Sequence, residues 1–356
     1  MTRLSALLLV SILPLAAGER RARNVILFLG DAGGIPTLNA ASIVAHQKPQ
    51  QLFVQHMPHI ALSDTSSASA WVTDSAAGMT AIVTGEKTDN GVLSMSAAAK
   101  TGGERRTLKT ILEYAEEHGL ATGLISNSSM ADATPAACYS HVDDRSKTGE
   151  IFAQVLKPRY GDGVDLIIGP GRKEIFEATG ALGMDLAAEL AKKGYGVYDA
   201  PEKIGPDTRR AIVLFEDGEY DVKAAVRRAV SILSRNSKGY FLMVEWDMHT
   251  DDIRRGIRHA IEMDGVVRET AGAVGSDTLV LFTADHSFDF RVRGGMKDQP
   301  LLPEAPDAPL VNVRMDNGHT GEEVLAAAQG PGSERIRGFL ANADLFQIML
   351  AAWGWK

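Results

Sequence analysis

The sequence predicts an α/β fold, a three-layer sandwich with a mainly parallel central sheet covered by helices on both faces. Short apolar runs bounded by Gly, Asp or Asn alternate with longer segments of helical apolar spacing, as in βαβ units. The apolar runs are continuous, which is typical of strands buried on both sides. The 356 residues, 45% hydrophobic and 23% charged, suffice for one large domain with a sizeable core.

The predicted elements follow directly from these runs. The predicted strands are Val25–Leu29, Thr122–Ser126, Asp165–Ile168, Tyr240–Val244 and Thr278–Thr283. The predicted helices are Thr107–Glu117, Gly149–Leu156, Asp185–Lys193, Val222–Leu233, Ile253–Thr270 and Asp344–Trp353. The Pro-rich stretch Lys297–Asn317 is predicted to be a long surface excursion, a feature often found near an active site.

The N-terminus has the order of a secretory signal peptide: a basic start at Arg3, a short apolar run, then small residues up to Gly18. We interpret residues 1–18 as a signal peptide and 19–356 as one mature domain, and we expect an exported protein, periplasmic or secreted. A retained anchor is the alternative. The run is too short for a comfortable membrane crossing, so we expect no stable membrane insertion after cleavage.

Charge and cysteine content narrow the function classes. The formal net charge of −8 argues against nucleic acid as the main partner, because phosphate backbones favour a basic face. The single cysteine, Cys138, allows neither a disulfide framework nor a thiolate zinc site. Any metal ion must therefore be held by oxygen and imidazole ligands.

Potential metal ligands follow three predicted strands, namely Asp31, Glu245 and the pair Asp285-His286. In open α/β sheets, ligands bind beyond the carboxyl ends of the strands. Any one of these residues alone could be a helix N-cap or a turn residue. Several hard ligands delivered from different strands to one edge instead indicate a metal cluster.

Four further positions suit phosphate chemistry. Ser75 precedes a run of small residues that can form a helix, and a helix N-terminus favours an anion. Since no neighbouring histidine would activate it, a metal ion would have to lower the pKa of its hydroxyl. Asp132 and Thr134 offer oxygen ligands for Mg²⁺, and Arg145 could hold two phosphate oxygens. The alternatives are an N-cap for Ser75, a helix start for Asp132 and a surface charge for Arg145.

The nine histidines divide into two groups. Three lie in acidic or glycine-flanked segments and are candidate zinc ligands: His249, His286 and His319. The others are interpreted as surface or core-edge residues: His46, His56, His59, His118, His141 and His259.

These motifs together resemble the alkaline phosphatases. Segments that match the family occur in family order: Gly30-Asp31, Thr73–Ala77, Thr84–Gly91, Asp132–Ala137, Ile168–Arg172, Val244-Glu245, Thr283–His286 and His319–Gly321. The resemblance implies a phosphomonoesterase that hydrolyses small phosphate esters through a phosphoserine at a site with two zinc ions and one magnesium ion. It also implies a possible homodimer.

The resemblance assigns roles residue by residue. Ser75 matches the nucleophile and Arg145 the phosphate clamp. Asp31, Asp285 and His286 match the family's ligands of the first zinc. Asp132, Thr134 and Glu245 match the ligands of the magnesium, and Asp31 is shared between these two ions. The second zinc matches His249 and His319, and Asp247 is the candidate carboxylate beside them.

One segment departs from the family pattern. The family leaves a longer gap between the magnesium Glu and the Asp and His of the second zinc, whereas here the segment is only Glu245-Trp246-Asp247-Met248-His249. Either Asp247 and His249 both reach the second zinc, or Glu245 replaces the zinc Asp and the magnesium site is lost or altered. Asp251 and Asp252 are fallback ligands. A smaller departure, Ala32 within the first glycine-rich turn, is expected to leave Asp31 in place.

Two rival functions fit the same residues. A diesterase, phosphonate or sulfate-ester hydrolase would keep the metal core, but Arg145 favours a monoester because it would contact the non-bridging oxygens that a diester replaces. A non-catalytic phosphate- or metal-binding protein is the third possibility, and it would gain little from a nucleophilic Ser75.

Overall fold

The computed structural model describes residues 20–98, 103–205, 207–216 and 219–356. Within these residues, ten strands form one mostly parallel sheet with helices on both faces, which confirms the predicted three-layer α/β fold. The interpreted signal peptide, residues 1–18, lies outside the described residues. Among the helices of the described ranges, none has the length and apolar character needed to span a membrane.

The strands are β1 (Asn24–Asp31), β2 (His59–Ser63), β3 (Ala121–Ile125), β4 (Leu166–Pro170), β5 (Gly196–Tyr198), β6 (Ala211–Phe215), β7 (Tyr240–Asp247), β8 (Thr278–Thr283), β9 (Ser287–Val292), β10 (Val313–Thr320), β11 (Val324–Gln329) and β12 (Gly338–Leu340). The order in the main sheet is β12-β2-β11-β8-β1-β7-β3-β4-β6-β5. Pairing is parallel except at β11, which runs antiparallel to β2 and β8. β9 and β10 form a separate antiparallel pair.

The helices are α1 (Ile35–His46), α2 (Ser75–Thr84), α3 (Ile111–Glu117), α4 (Ala133–Tyr139), α5 (Thr148–Ala153), α6 (Arg172–Ala181), α7 (Leu186–Lys192), α8 (Val222–Leu233), α9 (Ile253–Ala273) and α10 (Asp344–Trp353). Two hydrophobic cores lie on opposite faces of the sheet. Successive residues of β1 face alternate sides, so Leu27 packs in the core with α2, α4 and α10, and Phe28 in the core with α1, α8 and α9.

The five predicted strands and six predicted helices are all present, with ends displaced by a few residues. α3 begins at Ile111 because the Thr110 side chain caps it, accepting the Glu113 backbone N–H. The predicted excursion Lys297–Asn317 is wrong at its end, where β10 begins at Val313 and pairs with β9.

Candidate active site

Three adjacent parallel strands end at the same edge of the sheet. β1 lies between β8 and β7, and Asp31, its last residue, is in register with Asp247 at the end of β7. β8 ends at Thr283, so Asp285 and His286 leave the sheet at the same edge. The sheet order therefore brings together side chains that are more than 250 residues apart in sequence, as the bond from the Ala32 N–H to Asp285 Oδ1 shows (|i−j| = 253).

Asp31, Asp285 and His286 form the first cluster of potential ligands. All three are buried, and one ligand atom from each lies within 4.8 Å of the others. His286 Nε2 is 3.3 Å from Asp31 Oδ1 and 3.5 Å from Asp285 Oδ2. His286 Nδ1 donates to the carbonyl oxygen of Ser287 at 3.0 Å. This bond fixes the tautomer and leaves the Nε2 lone pair directed at the two carboxylates.

His249, His286 and His319 form the second cluster, also with ligand atoms within 4.8 Å of one another. His249 Nε2 is 3.3 Å from His319 Nε2. The opposite ring nitrogens are engaged: His319 Nδ1 donates to the Thr73 carbonyl oxygen at 3.1 Å, and His249 Nδ1 donates to Asp247 Oδ1 at 2.7 Å. Both rings therefore direct Nε2 into the same small space, as metal-ligating histidines do.

Ser75 is the first residue of α2 and is 3% exposed. Its Oγ is 3.3 Å from His286 Nε2 and 3.5 Å from Asp31 Oδ2. The N-cap of α2 is Asp74, whose side chain accepts the Ala77 N–H at 3.0 Å. Gly78, one turn into the helix, allows this approach because a Cβ there would lie 2.9 Å from the Asp285 carbonyl oxygen. The hydroxyl thus borders the first cluster at a helix N-terminus.

Arg145 is held between two carboxylates. Its guanidinium is 3.2 Å from Asp74 Oδ2 through one terminal nitrogen and 2.8 Å from Asp132 Oδ1 through the other. The Arg145 backbone N–H also donates to the Gly91 carbonyl oxygen at 2.8 Å. Arg145 is therefore fixed beside the N-cap of the helix that carries Ser75, and it is not a freely solvated surface charge.

Glu245 lies deeper, on β7, and is fully buried. The Ser126 hydroxyl donates to its Oε2. Within the described part of the chain, Glu245 Oε1 and the Thr134 hydroxyl in α4 make no hydrogen bond, although both are buried. Burial raises the pKa of Glu245 well above its usual value, and the neighbouring Asp31 carboxylate raises it further.

The carboxyl groups of the first cluster also have raised pKa values. Burial raises the pKa of Asp31 to about 7, with a further contribution from Asp285. Burial also raises the pKa of Asp285 to about 6. Asp31 Oδ1 and Asp285 Oδ2 are buried without a hydrogen bond among the described residues. Such crowded, unsatisfied oxygens are expected where a cation belongs.

The histidines of the second cluster respond in opposite directions. Burial alone lowers the pKa of His249, but the hydrogen bond with Asp247 and the charge of Asp31 raise it to about 9. Burial and the neighbouring His286 lower the pKa of His319 to about 4. The carboxylate and imidazole donors of the first cluster and the three imidazoles of the second fit Zn²⁺, whereas the oxygen donors around Glu245 and Thr134 fit Mg²⁺.

The sequence-predicted residues lie together near the ends of the central strands, whereas the fallback pair has other partners. Asp252 caps α9 by accepting the backbone N–H groups of Arg254 and Arg255, and Asp251 pairs with the Arg255 side chain. His141, expected at the surface or core edge, is buried and lies 3.0 Å from Glu113. His259, also expected at the surface or core edge, is buried and contacts the backbone of Asp247.

The comparison with known families agrees with this geometry. The alkaline phosphatase family model matches residues 22–195 and 212–302. The chain belongs to the alkaline phosphatase family. It is therefore a phosphatase.

Individual alkaline phosphatases resemble the chain over most of its length. It is 30% identical to that of Gadus morhua over 339 residues, covering 78% of this chain and 71% of the relative. It is 29% identical to that of Escherichia coli, covering 95% and 87%. The fold matches the structures of the alkaline phosphatases from the Antarctic bacterium TAB5 (TM-score 0.79, 23% identity, 95% and 99% covered) and Thermus thermophilus (TM-score 0.80, 22% identity, 95% and 92% covered).

Proposed function

We propose that the protein is an exported, metal-dependent phosphomonoesterase that transfers a phosphoryl group from a phosphate monoester to Ser75 and then to water. One observation carries the proposal. The Ser75 Oγ, buried at the N-terminus of α2, lies 3.3 Å from His286 Nε2 and 3.5 Å from Asp31 Oδ2. A nucleophile placed against a ligand cluster can be activated without a separate histidine base.

The residues present fit two zinc ions and one magnesium ion. Asp31, Asp285 and His286 would hold the first zinc, and His249 and His319 the second. Asp31, Asp132, Thr134 and Glu245 would hold the magnesium. The support is the set of buried oxygens without hydrogen bonds: Asp31 Oδ1, Asp285 Oδ2, Glu245 Oε1 and Thr134 Oγ1. One solved relative, a variant of the TAB5 enzyme, has Mg bound in its M3 site.

We propose that Asp247 supports His249, a role other than the direct zinc ligand considered from the sequence. Its Oδ1 accepts both the backbone N–H of His249, at 2.8 Å, and the His249 ring nitrogen Nδ1, at 2.7 Å. We assign Asp247 to orienting His249 rather than to binding zinc directly. Glu245 stays beside Ser126, so the geometry favours keeping it in the magnesium group. This arrangement differs from both alternatives that the shortened segment left open.

The chain's own groups then divide the reaction between them. When bound, the cations lower the pKa of the attacking hydroxyl and offset the charge that builds up on the phosphoryl oxygens. Ser75 Oγ attacks phosphorus, the ester P–O bond breaks, and the alcohol leaves with a proton. Water then attacks the phosphoserine, Ser75 recovers its proton, and phosphate leaves.

Arg145 favours the monoester reading. Its two terminal nitrogens, held by Asp74 and Asp132, can donate to two non-bridging phosphoryl oxygens. A diester carries a second organic group on one of those oxygens, and that group would collide with the clamp or displace it.

The test of the reaction class is hydrolysis of p-nitrophenyl phosphate against its bis-ester, by metal-depleted protein with zinc and magnesium added back. We expect the monoester to be hydrolysed faster and only with metal. Faster hydrolysis of the bis-ester would make the protein a diesterase. If neither ester is hydrolysed while phosphate still binds, the protein is a binding protein.

The test of the nucleophile is Ser75→Ala. We expect unchanged zinc content but no turnover and no trapped phosphoenzyme after labelled substrate is quenched in acid, because the hydroxyl is the acceptor and not a ligand. The control is Ser231→Ala, at an exposed position on α8. Normal trapping in Ser75→Ala would remove Ser75 from the mechanism.

Export and oligomeric state are part of the proposal and have separate tests. Export is supported by the signal-like pattern of residues 1–18. N-terminal sequencing of protein recovered outside the cytoplasm should show cleavage near Gly18, and an uncleaved N-terminus would contradict it. Sedimentation analysis of the mature protein tests the homodimer, and a monomer at all concentrations would exclude it.

A further inference from the structure

Helix α9 packs directly on the shortened segment that follows β7. At Gly256, a Cβ would lie 2.4 Å from the carbonyl oxygen of His249 and 2.8 Å from that of Met248. Glycine therefore allows the helix to lie against the backbone of the segment. One and a half turns further on, Glu262 accepts the Trp246 Nε1–H at 3.2 Å. The segment is short, and a neighbouring helix supplies contacts that support it.

Both backbone polar groups of Asp247 are held by side chains from other elements. Its N–H donates to Asn127 Oδ1 at 2.7 Å, just after β3. Its carbonyl oxygen accepts from His259 Nδ1, on α9, at 2.5 Å. His259 is 5% exposed and packs edge-on against Trp246, with ring centroids 5.9 Å apart. A residue clamped at both its N–H and its C=O has little freedom to move its side chain.

From this we propose that His259, together with Asn127, is a positioning residue for the second zinc. It fixes the backbone of Asp247, whose carboxylate holds the His249 ring so that Nε2 faces His319. The inference rests on the proposed function. It extends it by naming a residue outside the ligand set on which one of the two zinc ions depends.

A continuous series of contacts connects His259 to the proposed ligands of the second zinc. His259 Nδ1 contacts the Asp247 carbonyl oxygen, Asp247 Oδ1 contacts His249 Nδ1, and His249 Nε2 lies 3.3 Å from His319 Nε2. Among the described residues, the polar contacts of His259 are to Asp247, Asn127 and Glu219, and none is to the first cluster. Loss of His259 should therefore weaken the second zinc and spare the first.

The experiment measures zinc affinity of the metal-free full chain by competition with a chromophoric chelator, for both equivalents. His259→Leu removes the donor. In His259→Asn, the amide nitrogen takes about the place of Nδ1. We expect His259→Leu to weaken the second equivalent about 10–100-fold and leave the first unchanged, with His259→Asn restoring most of the loss. His46→Ala, at an exposed histidine, should match the wild type.

A double-mutant cycle with His249→Ala separates positioning from general damage. Once His249 is absent, adding His259→Leu should weaken binding of the second equivalent no further, because His259 acts through the His249 ring. Wild-type affinity for both equivalents in His259→Leu, or equal weakening of both, overturns the proposal. If His259→Leu does not fold, His259→Gln replaces it, because its longer amide donor does not match Nδ1. Equal second-zinc affinities in His259→Gln and His259→Asn then overturn the proposal.

This outcome is distinguishable from failure of the proposed function. A wild type that binds two zinc ions but hydrolyses no ester contradicts the proposed reaction and leaves the affinity comparison intact. A wild type that turns over with an unaffected His259→Leu variant contradicts only the positioning role.

Discussion

The Asp74 carboxylate makes three hydrogen bonds that connect separate parts of the site. It caps α2 through the Ala77 N–H, accepts the Gly91 N–H at 2.9 Å and holds a terminal nitrogen of Arg145. The helix that carries Ser75, the proposed nucleophile, and Arg145, the proposed phosphate clamp, are therefore fixed relative to each other by one carboxylate. A shared anchor of this kind preorganises the two groups before substrate arrives.

Replacing Arg145 with Ala should weaken phosphate binding by about 1.5–3 kcal/mol, the scale of hydrogen bonds to a charged group. Arg145→Lys should recover only part of this, because a point charge cannot reproduce the planar fork. The inhibition constant for phosphate is the measurement, with zinc content expected to be unchanged. Arg227→Ala, at an exposed pair with Glu269, is the control. Unchanged inhibition by phosphate in Arg145→Ala would show that Arg145 does not bind phosphate.

Zinc affinity should rise with pH, because the metal competes with protons for its ligands. In the metal-free protein, the pKa values of Asp285, Asp31 and His249 are about 6, about 7 and about 9. Each group holds its proton below its pKa, so lowering the pH through this range adds a proton that zinc must displace. His319, with a pKa of about 4, is already neutral there and contributes little.

Calorimetric zinc titration at several pH values, in buffers of different ionisation enthalpy, measures both the affinity and the protons released. We expect proton release to shrink as the pH approaches about 9. An affinity independent of pH between about 6 and 9 would contradict the assigned ligands.

At the level of elements, the contact between α2 and the end of β8 determines where Ser75 lies. Gly78→Ala would place a Cβ 2.9 Å from the Asp285 carbonyl oxygen and push the helix away. We expect kcat/KM to fall about tenfold or more, since small misplacements of a nucleophile are costly. Gly180→Ala, on α6, meets nothing within 4 Å and is the matched control. Equal activities of the two variants would show that the close approach is unimportant.

The strands that carry ligands could be predicted because they are continuous apolar runs buried on both faces. Strands outside that pattern were missed: β2, one strand in from the sheet edge, is partly exposed, and β9 and β10 form a small pair with exposed arginines. Helix α1 was missed as well, since small Ala40 and Ala41 give it a weak apolar stripe. β6 carries the same apolar signal as the predicted strands and was still overlooked.

The candidate site was predictable where ligands follow strand ends, and not where support comes from a distant helix. Asp31 and Asp285 could be singled out because strand ends meet at one edge. The contact from His259 could not, because its partner is a backbone carbonyl oxygen, which every residue possesses. The role of Asp247 depends in the same way on which neighbour its carboxylate meets.

For the whole molecule, metal removal should lower the melting temperature. The buried carboxylates repel one another in the metal-free state, and a ligand that binds only the folded state adds about 4 kcal/mol at a thousandfold excess over its Kd. Scanning calorimetry with chelator and with zinc is the measurement. The zinc-dependent gain should be reduced in Asp285→Asn, which alters a first-cluster ligand. The same melting temperature with and without zinc would contradict a folded-state site.

The central position of β1 determines how late in translation the side chains around Asp31 can come together. Asp31 lies on the first strand, yet its neighbours β7 and β8 come more than 200 residues later, as the contact between Asn24 Oδ1 and the Tyr240 N–H shows (|i−j| = 216). His319 emerges from the ribosome later still. A nascent chain therefore cannot bring these side chains together until nearly all of it has been translated.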